Sequence, residues 1–588
     1  MKLLRVFLAG WVAGCGSGAV QASTDAEAAT LILHHGRIWT VDDERPEAQA
    51  VAVRGETIVK VGGNAEVLAL KGPATKIIDL QGRLVLPGFN DAHTHFENAV
   101  DWVFHARIVD VRDQTEMLER LRATVARVPP GLWVTGGDLE SFAWLAAQRK
   151  SDTAWKAFWP DLTAVDRATP DHPVLLRRID RSYFANSKAL RTLGIDETTP
   201  PPPGGQFDRD PATGRLNGRL LGTAGEFLEK QLPPATFAKK LLGARVVQAD
   251  LNRHGITSIQ DMARVPAVSQ NLLAHSHIER SHTDVAIYRA LREAGILTLR
   301  VHALIALPVW SRLQAQGIRP GTGDEFIKFG TLKDFVDGSL MFEPLKGDGA
   351  YAGRYTFRFV DEATTRRAIN EADAAGYDIG THVIGDRGMN LLLDRYEEAI
   401  AKNGPRDRRF RLIHAELAIP SDFARAGRLG MIADITPRHL LGKNVAAFEK
   451  ALGPERARSA FAWRTMLDHG IRLNLVSDLP GSFNQSDVSP YDPLRNIFSA
   501  VTRRDPELGP PGGWHPEQSL TVEEAIRAYT ANPAYATREE HLKGTITAGK
   551  LADLVVLSRD ILTIPPEEIL ATKVVYTIFG GRIVHPIE

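Results

Sequence analysis

Leu84-Val85-Leu86-Pro87-Gly88-Phe89-Asn90-Asp91-Ala92-His93-Thr94-His95-Phe96 is the stretch on which the fold turns. An apolar run breaks at Pro87-Gly88 and resumes as an extended segment ending in two histidines one residue apart. Side chains at i and i+2 of a strand share a face. His93 and His95 can therefore aim both imidazoles into one space, as two ligands of a single metal ion require. The alternative is two unrelated histidines at a strand end, so partners elsewhere in the chain decide.

Upstream, short strands at 31–40, 49–53, 57–62 and 76–80 alternate with glycine-containing turns, the pattern of a small sheet or sandwich. The far end reads alike, at 554–557 and 574–584, and the two ends share a Gly-Arg-Ile motif at Gly36 and Gly581. Chain ends often lie close together. We therefore expect one composite β-sandwich from residues 30–87 and 541–588.

Residues 88–540 alternate strand-like and helix-like segments, the signature of an α/β fold with a parallel sheet or barrel. Apolar strand candidates fall at 84–92, 173–179, 256–260, 297–305, 326–335, 377–381, 410–413, 431–435 and 471–477. A (β/α)8 barrel needs eight, and 173–179 is set aside because the Pro/Gly-rich stretch 199–205 separates it from the regular repeats. Residues about 100–240 then form an insertion, far longer than an ordinary βα connection. Trp102, Trp133, Trp144, Trp155 and Trp159 concentrate there, as core or as an apolar lid over a substrate.

Composition narrows the chemistry. The 588 residues are 44% hydrophobic and 24% charged, ordinary for a globular protein. Lys+Arg and Asp+Glu both number 71, so the balanced charge gives no reason to expect nucleic acid as a partner. Cys15 is the single cysteine, which excludes an intrachain disulfide and a thiolate cluster. A metal must rely on His, carboxylate or modified Lys. Lys2 and Arg5 precede a short apolar run at 6–14, too short to span a membrane, so residues 1–22 read as an export signal. Val20-Gln21-Ala22 suits an ordinary signal peptidase, whereas Val12-Ala13-Gly14-Cys15 resembles a lipobox with a lipidated Cys15. The expected location is periplasmic, either soluble or held at the membrane by that lipid alone.

Polar residues close several of the apolar strands: Lys333, His382, His414 and Asp478. Strand C-termini are where such barrels keep their active sites. Imidazole and carboxylate are natural ligands for Zn2+. A lysine joins them only if CO2 converts its amine to a carbamate. Asp478 would take a proton from a metal-activated water and pass it to a leaving nitrogen. His439, closing the strand at 431–435, would contact substrate. Arg177-Arg178 and Arg503-Arg504 read as solvated or salt-bridged.

These segments together resemble the amidohydrolase superfamily, in its amidohydrolase-3 (YtcJ-like) branch. The similarity is carried by Pro87 to His95, Lys333 to Ser339, His382-Val383-Ile384-Gly385-Asp386-Arg387, Ile413-His414-Ala415 and Ser477-Asp478. Gly544-Thr545-Ile546 and the run Gly549 to Leu557 match the family's return to its β-domain. The resemblance implies a distorted TIM (β/α)8 barrel with a composite β-sandwich. It implies one or two divalent ions, Zn2+ first among them, on His93, His95, Lys333, His382, His414 and Asp478. It also implies that Lys333, rather than nearby Lys328, is the carboxylated ligand, and that the reaction is hydrolysis of non-peptide C–N bonds in a small molecule. Homo-oligomers are common in such a family, though no interface is legible here. Two departures bear on substrate: Asp180-Arg181-Ser182 replaces the usual Asp-Gly-His, and Thr436-Pro437-Arg438-His439 replaces Gln-Pro-x-His. His439, Asp180 and Trp144 are the expected substrate contacts. Competing readings are an esterase, lactonase or cyclic amidase on the same site, and an exported binding protein without catalysis.

Overall fold

The structure, a computed structural model, describes residues 28–108, 111–139, 158–178, 180, 182–263, 284–337, 362–440, 444–480, 491–505 and 509–586. Eight parallel strands, paired in chain order, form its centre. They are β1 (Phe89–Thr94), β2 (Ile256–Met262), β3 (Arg300–Ala306), β4 (Ile327–Phe335), β5 (Asp378–Val383), β6 (Arg411–His414), β7 (Ile432–Ile435) and β8 (Arg472–Leu475). Nearly every residue in them is buried, as expected for parallel strands covered by helices on their outer face. Helices such as Phe237–Arg253 and Asp386–Asn403 bury one stripe each against that layer. This is the distorted TIM barrel expected from the sequence.

The barrel closes at a seam between β1 and β8 that lies just beyond the end of β8. There the Asp478 amide donates to the His93 carbonyl (3.0 Å), and the His95 amide donates to the Leu479 carbonyl (2.7 Å). Asp91 staples the seam with one carboxylate oxygen, which accepts from the amides of Ser477 (3.1 Å) and His93 (3.3 Å). The first and last strands thus meet at the residues whose side chains interest us most.

Inside the barrel, polar groups replace the usual apolar layer at one level. Arg411 is fully buried and donates to Asp434 Oδ2 from Nε (2.9 Å) and Nη2 (2.5 Å). It also donates to Gln260 Oε1 (2.6 Å) and to the Ala92 carbonyl (2.5 Å), while Asn474 donates to Asp434 Oδ1 (2.7 Å). One side-chain network therefore joins β1, β2, β6, β7 and β8. A buried ion pair survives when its remaining donors and acceptors are matched.

The sandwich uses both ends of the chain. Leu84–Pro87 pairs antiparallel with Leu554–Leu557, in a six-stranded sheet that also holds Arg37–Trp39 and Arg582–Pro586. A four-stranded sheet of Leu31–His34, Ala50–Arg54, Thr57–Gly62 and Lys76–Asp79 packs over it through Leu33, Val53, Val85, Leu554 and Ile578. The single strand expected at 84–92 is two strands, one per layer, with Gly88 between them. A Cβ on Gly88 would lie 2.2 Å from Thr257 Oγ1, so the crossing needs glycine. Asp553 joins the units: its carbonyl accepts from the Gly88 amide (2.8 Å) and its carboxylate from Arg300 Nε of β3 (3.0 Å).

Val174–Arg178, kept out of the barrel by the sequence reading, belongs to a separate six-stranded mixed sheet with His105–Ala106, Val134–Leu139, Tyr183–Ala185, Gly205–Arg209 and Leu216–Gly222. Trp133 is buried in the apolar core of that sheet. Trp159 is half-buried beneath the guanidinium of Arg178, 4.1 Å from its ring centroid.

Replacing Arg411 by alanine would leave Asp434 buried with only Asn474. We expect a loss of about 3–5 kcal/mol, the usual cost of stranding one buried charge, read by urea unfolding. A loss below about 1 kcal/mol would mean that the network does not hold the barrel.

Candidate metal centre

The C-terminal ends of β1, β4, β5, β6, β7 and the segment after β8 deliver the chemically active side chains to one mouth. His93 near the end of β1 and His95 just beyond it bring their rings to 5.1 Å, and Lys333 and Phe335 share a face of β4. His414 and Asp478 reach the same space by another device. Both have left-handed backbones (φ 74° and 56°), uncommon outside glycine. At a strand end such a turn re-aims a side chain, and strained residues of this kind gather at functional sites.

Asp478 is the hub. Its Oδ1 lies 3.2 Å from His95 Nε2 and 3.4 Å from His93 Nε2, and its Oδ2 lies 3.7 Å from His439 Nε2. Two overlapping triads have ligand atoms within 4.8 Å of one another: His93 with His95 and Asp478, and His414 with His439 and Asp478. The His414 ring is 5.6 Å from that of His93, 4.6 Å from that of His382 and stacked on His439 at 5.0 Å. Lys333 Nζ sits 4.3 Å above the Phe335 ring, whose centroid is 5.3 Å from that of His382. All six predicted metal residues therefore converge. Lys328 lies five residues before Lys333, across a register irregularity of β4, and is half-buried whereas Lys333 is buried. His382 differs from expectation in one respect: its Nε2 faces Asp337 at 3.8 Å, and His439 takes the place beside His414 and Asp478.

Electrostatics suit ligation. Burial pushes His93 and His382 well below the ordinary imidazole range, helped by the charge of Lys333, and it does the same to His414 with help from His382. These rings are held neutral, the ligating form. Burial also pushes the Lys333 ammonium down to about 7, against the pull of Asp478. For Asp478 burial opposes the charge, yet the His95 contact keeps its carboxyl below the usual range. His439 is raised: burial works against its proton, but Glu416, which accepts from Nδ1 at 2.7 Å, outweighs it. Burial lifts Asp91 to about 7.

Four supporting residues were not singled out by sequence. Asp91 staples the seam behind His93, and Thr436 Oγ1 bonds His414 Nδ1 (3.1 Å). Glu416 fixes His439. Asp337 accepts from the amides of Ile384 (3.0 Å) and Gly385 (2.8 Å), which anchors the loop after His382. A Cβ at Gly388 would fall 2.4 Å from Asp337 Oδ2. A sequence signal for Asp91 was present in its place two residues before His93; Glu416 directly follows His414-Ala415. Nothing local marks Thr436 or Asp337.

Other expectations fare differently. Asp180 is exposed, and its Oδ1 accepts from the amide (2.9 Å) and hydroxyl (2.6 Å) of Ser182 on a turn of the added sheet. Trp144 and Cys15 lie outside the described residues. Arg503 corrects the sequence reading: it is not solvated but fully buried, without a salt bridge among the described residues, stacked on Trp463 (4.2 Å) and donating to the carbonyls of Trp514 and Phe461 (both 3.0 Å). Arg504 does pair with Glu567 (3.1 Å), as expected.

The donor set fits a divalent ion. Both ring nitrogens of His93, Lys333 Nζ, His382 Nε2 and Asp478 Oδ1 are buried without a hydrogen-bond partner among the described residues. Stranded polar groups cost roughly 1–3 kcal/mol each, and here they gather around one space. The amine excepted, they are lone-pair donors of the kinds that bind such ions.

Comparison with known proteins agrees. The family model of the Amidohydrolase family matches residues 76–585. The putative amidohydrolase YtcJ of Bacillus subtilis (strain 168) is 29% identical over 94% of this chain and 99% of its own length. An N-substituted formamide deformylase of Arthrobacter pascens is 29% identical over 94% of this chain and 97% of its own. Among solved structures, a metal-dependent hydrolase of Pyrococcus horikoshii OT3 superposes with a TM-score of 0.65 at 20% identity, covering 91% of this chain and 99% of that one. A barrel whose strand ends converge on one histidine-carboxylate centre, under a family match that spans most of the sequence, places this chain in the amidohydrolase family, enzymes that hydrolyse carbon–nitrogen bonds with the help of a metal.

Proposed function

We propose that the enzyme hydrolyses a small non-peptide amide, of the formamide or N-acyl amine kind, with Asp478 as the group that moves the proton. The observation that carries this reading is the position of Asp478, between His93 and His95 on one side and His439 on the other, with Oδ1 buried and without a hydrogen-bond partner among the described residues. A protein that only bound its ligand would need no group to carry a proton at that place. The formamide deformylase among the relatives supports the choice of bond.

His93, His95, His414 and Asp478 would hold the ion, with Lys333 and His382 beside them. Zn2+ is the ion that two or three imidazoles and a carboxylate suit best. When bound, it would supply Lewis acidity, lowering the proton affinity of water and polarising a carbonyl. The chain does the rest. Asp478 accepts the proton of the attacking water and returns it to the departing nitrogen, so one carboxylate serves both halves of the reaction. The imidazole of His439, set by Glu416, faces Asp478 from the substrate side and orients the acyl group. Lys333, whose burial favours the neutral amine, is suited to take up CO2: the nitrogen bonds the carbon, a proton leaves, and the carbamate would contribute two oxygens that share one negative charge. The basic start and apolar run at residues 1–22 support export as part of the same reading.

Three outcomes follow. His93→Ala and His414→Ala should each lower the zinc content measured by mass spectrometry on purified protein; unchanged content in both would remove them as ligands. Asp478→Asn should keep the fold and lose about 10²–10⁴-fold in kcat on any amide or formamide that the wild type cleaves in a substrate panel. Turnover within tenfold of wild type would dismiss Asp478 as the proton carrier. Protein loaded with metal in 13C-bicarbonate should show a carbamate carbon resonance that Lys333→Gln lacks, and its absence from the wild type would leave Lys333 an unmodified amine.

A further inference from the structure

We propose that the sandwich carries a second transition-metal site, formed by His34, His35 and Asp79 and open to solvent. It lies on the four-stranded sheet, apart from the barrel mouth, and stands independently of the hydrolytic reading. The proposal begins with an adjacency that a strand ordinarily forbids. Consecutive side chains of a strand point to opposite faces, so a His-His pair normally separates its rings. Here the strand Leu31–His34 stops at His34, and His35 turns into a left-handed backbone (φ 52°). The two rings come to 4.3 Å between centroids, tilted by 58°.

That turn is held firmly. The His35 amide donates to Asn64 Oδ1 (2.8 Å), and its carbonyl accepts from the Gly82 amide (2.7 Å). The next residue is a glycine in a tight place: a Cβ on Gly36 would fall 2.3 Å from Leu80 Cδ1 and 3.0 Å from the Arg83 carbonyl oxygen. Asp79 enters from the adjacent strand, where the parallel register sets it directly beside His34. Its Oδ1 accepts from the Gln81 amide (2.9 Å), while Oδ2 lies 3.2 Å from His35 Nδ1. One nitrogen from each ring and one carboxylate oxygen lie within 4.8 Å of one another.

A surface ion pair between His35 and Asp79 explains only part of this. It leaves His34 Nδ1 buried and without a hydrogen-bond partner among the described residues. It also gives no reason for a non-glycine residue to hold the strained turn. A cation shared by the three groups accounts for both. Two imidazoles and one carboxylate select Zn2+, Ni2+ or Cu2+ over Mg2+ and Ca2+, which prefer all-oxygen shells. The side chains of His35 and Asp79 are 53% and 51% exposed, so the remaining coordination positions face water. Set between two paired strands, such a site would act as a clip between Leu31–His34 and Lys76–Asp79 and stiffen the sandwich.

The experiment is calorimetric titration of metal-stripped, full-length protein with Zn2+, comparing wild type with His35→Gln and Asp79→Asn. Both substitutions are polar and exposed, and neither touches the barrel. We expect the wild type to bind one equivalent more than either variant, or each variant to bind one equivalent at least tenfold more weakly than the wild type does. The ions that depend on His93 and His414 should remain in both variants. Equal stoichiometry and equal affinities in all three proteins would overturn the second site, and would do so without touching the catalytic proposal.

Discussion

Neutral imidazoles, an amine and a carboxylate are crowded around one point at the barrel mouth, and buried polar groups of this kind are costly unless something satisfies them. Much of the chain can be understood as meeting that requirement. The seam between β1 and β8 brings His93 and Asp478 together through backbone hydrogen bonds, with Asp91 stapling it. The Arg411 network holds five strands in register one layer below. The left-handed residues at His414 and Asp478 carry local strain that the surrounding sheet must over-determine. Among the described residues the unbonded atoms have no partner, and a divalent ion is the group whose chemistry matches them.

The barrel and its sandwich were legible because their signals are periodic and local. Apolar runs of strand length, spaced by helices, identify parallel strands, and a polar residue closing such a run stands out against it. His93 and His95 could be placed on one face by alternation alone. Distinguishing Lys333 from Lys328 required a motif, and the structure separates the two by depth: Lys333 is buried at the strand's C-terminal end, whereas Lys328 is half-buried near its start. The splitting of 84–92 into a sandwich strand and a barrel strand was hidden in the interval around Gly88, where two apolar segments run on with one residue between them.

What the sequence did not disclose depends on contacts between distant segments or on backbone hand. No pattern in the chain announces that Asp478 has a left-handed backbone, or that Thr436 and Glu416 orient His414 and His439. The grouping of His439 with His414 and Asp478, while His382 turns toward Asp337, is likewise a matter of packing. Arg503 shows the converse failure. Two adjacent arginines in a polar stretch look like solvated surface, yet Trp463, Trp514 and two carbonyls bury one of them completely. Composition describes a segment's average, whereas burial is decided residue by residue.

The central claim is that the buried donors at the mouth surround a metal ion. The direct measurement is anomalous diffraction at the zinc edge from crystals of the zinc-loaded protein. The account predicts a peak among His93, His95, His414 and Asp478, about 2.0–2.2 Å from the coordinating nitrogen and oxygen atoms. Crystals that contain zinc but show no anomalous density at that point would contradict it.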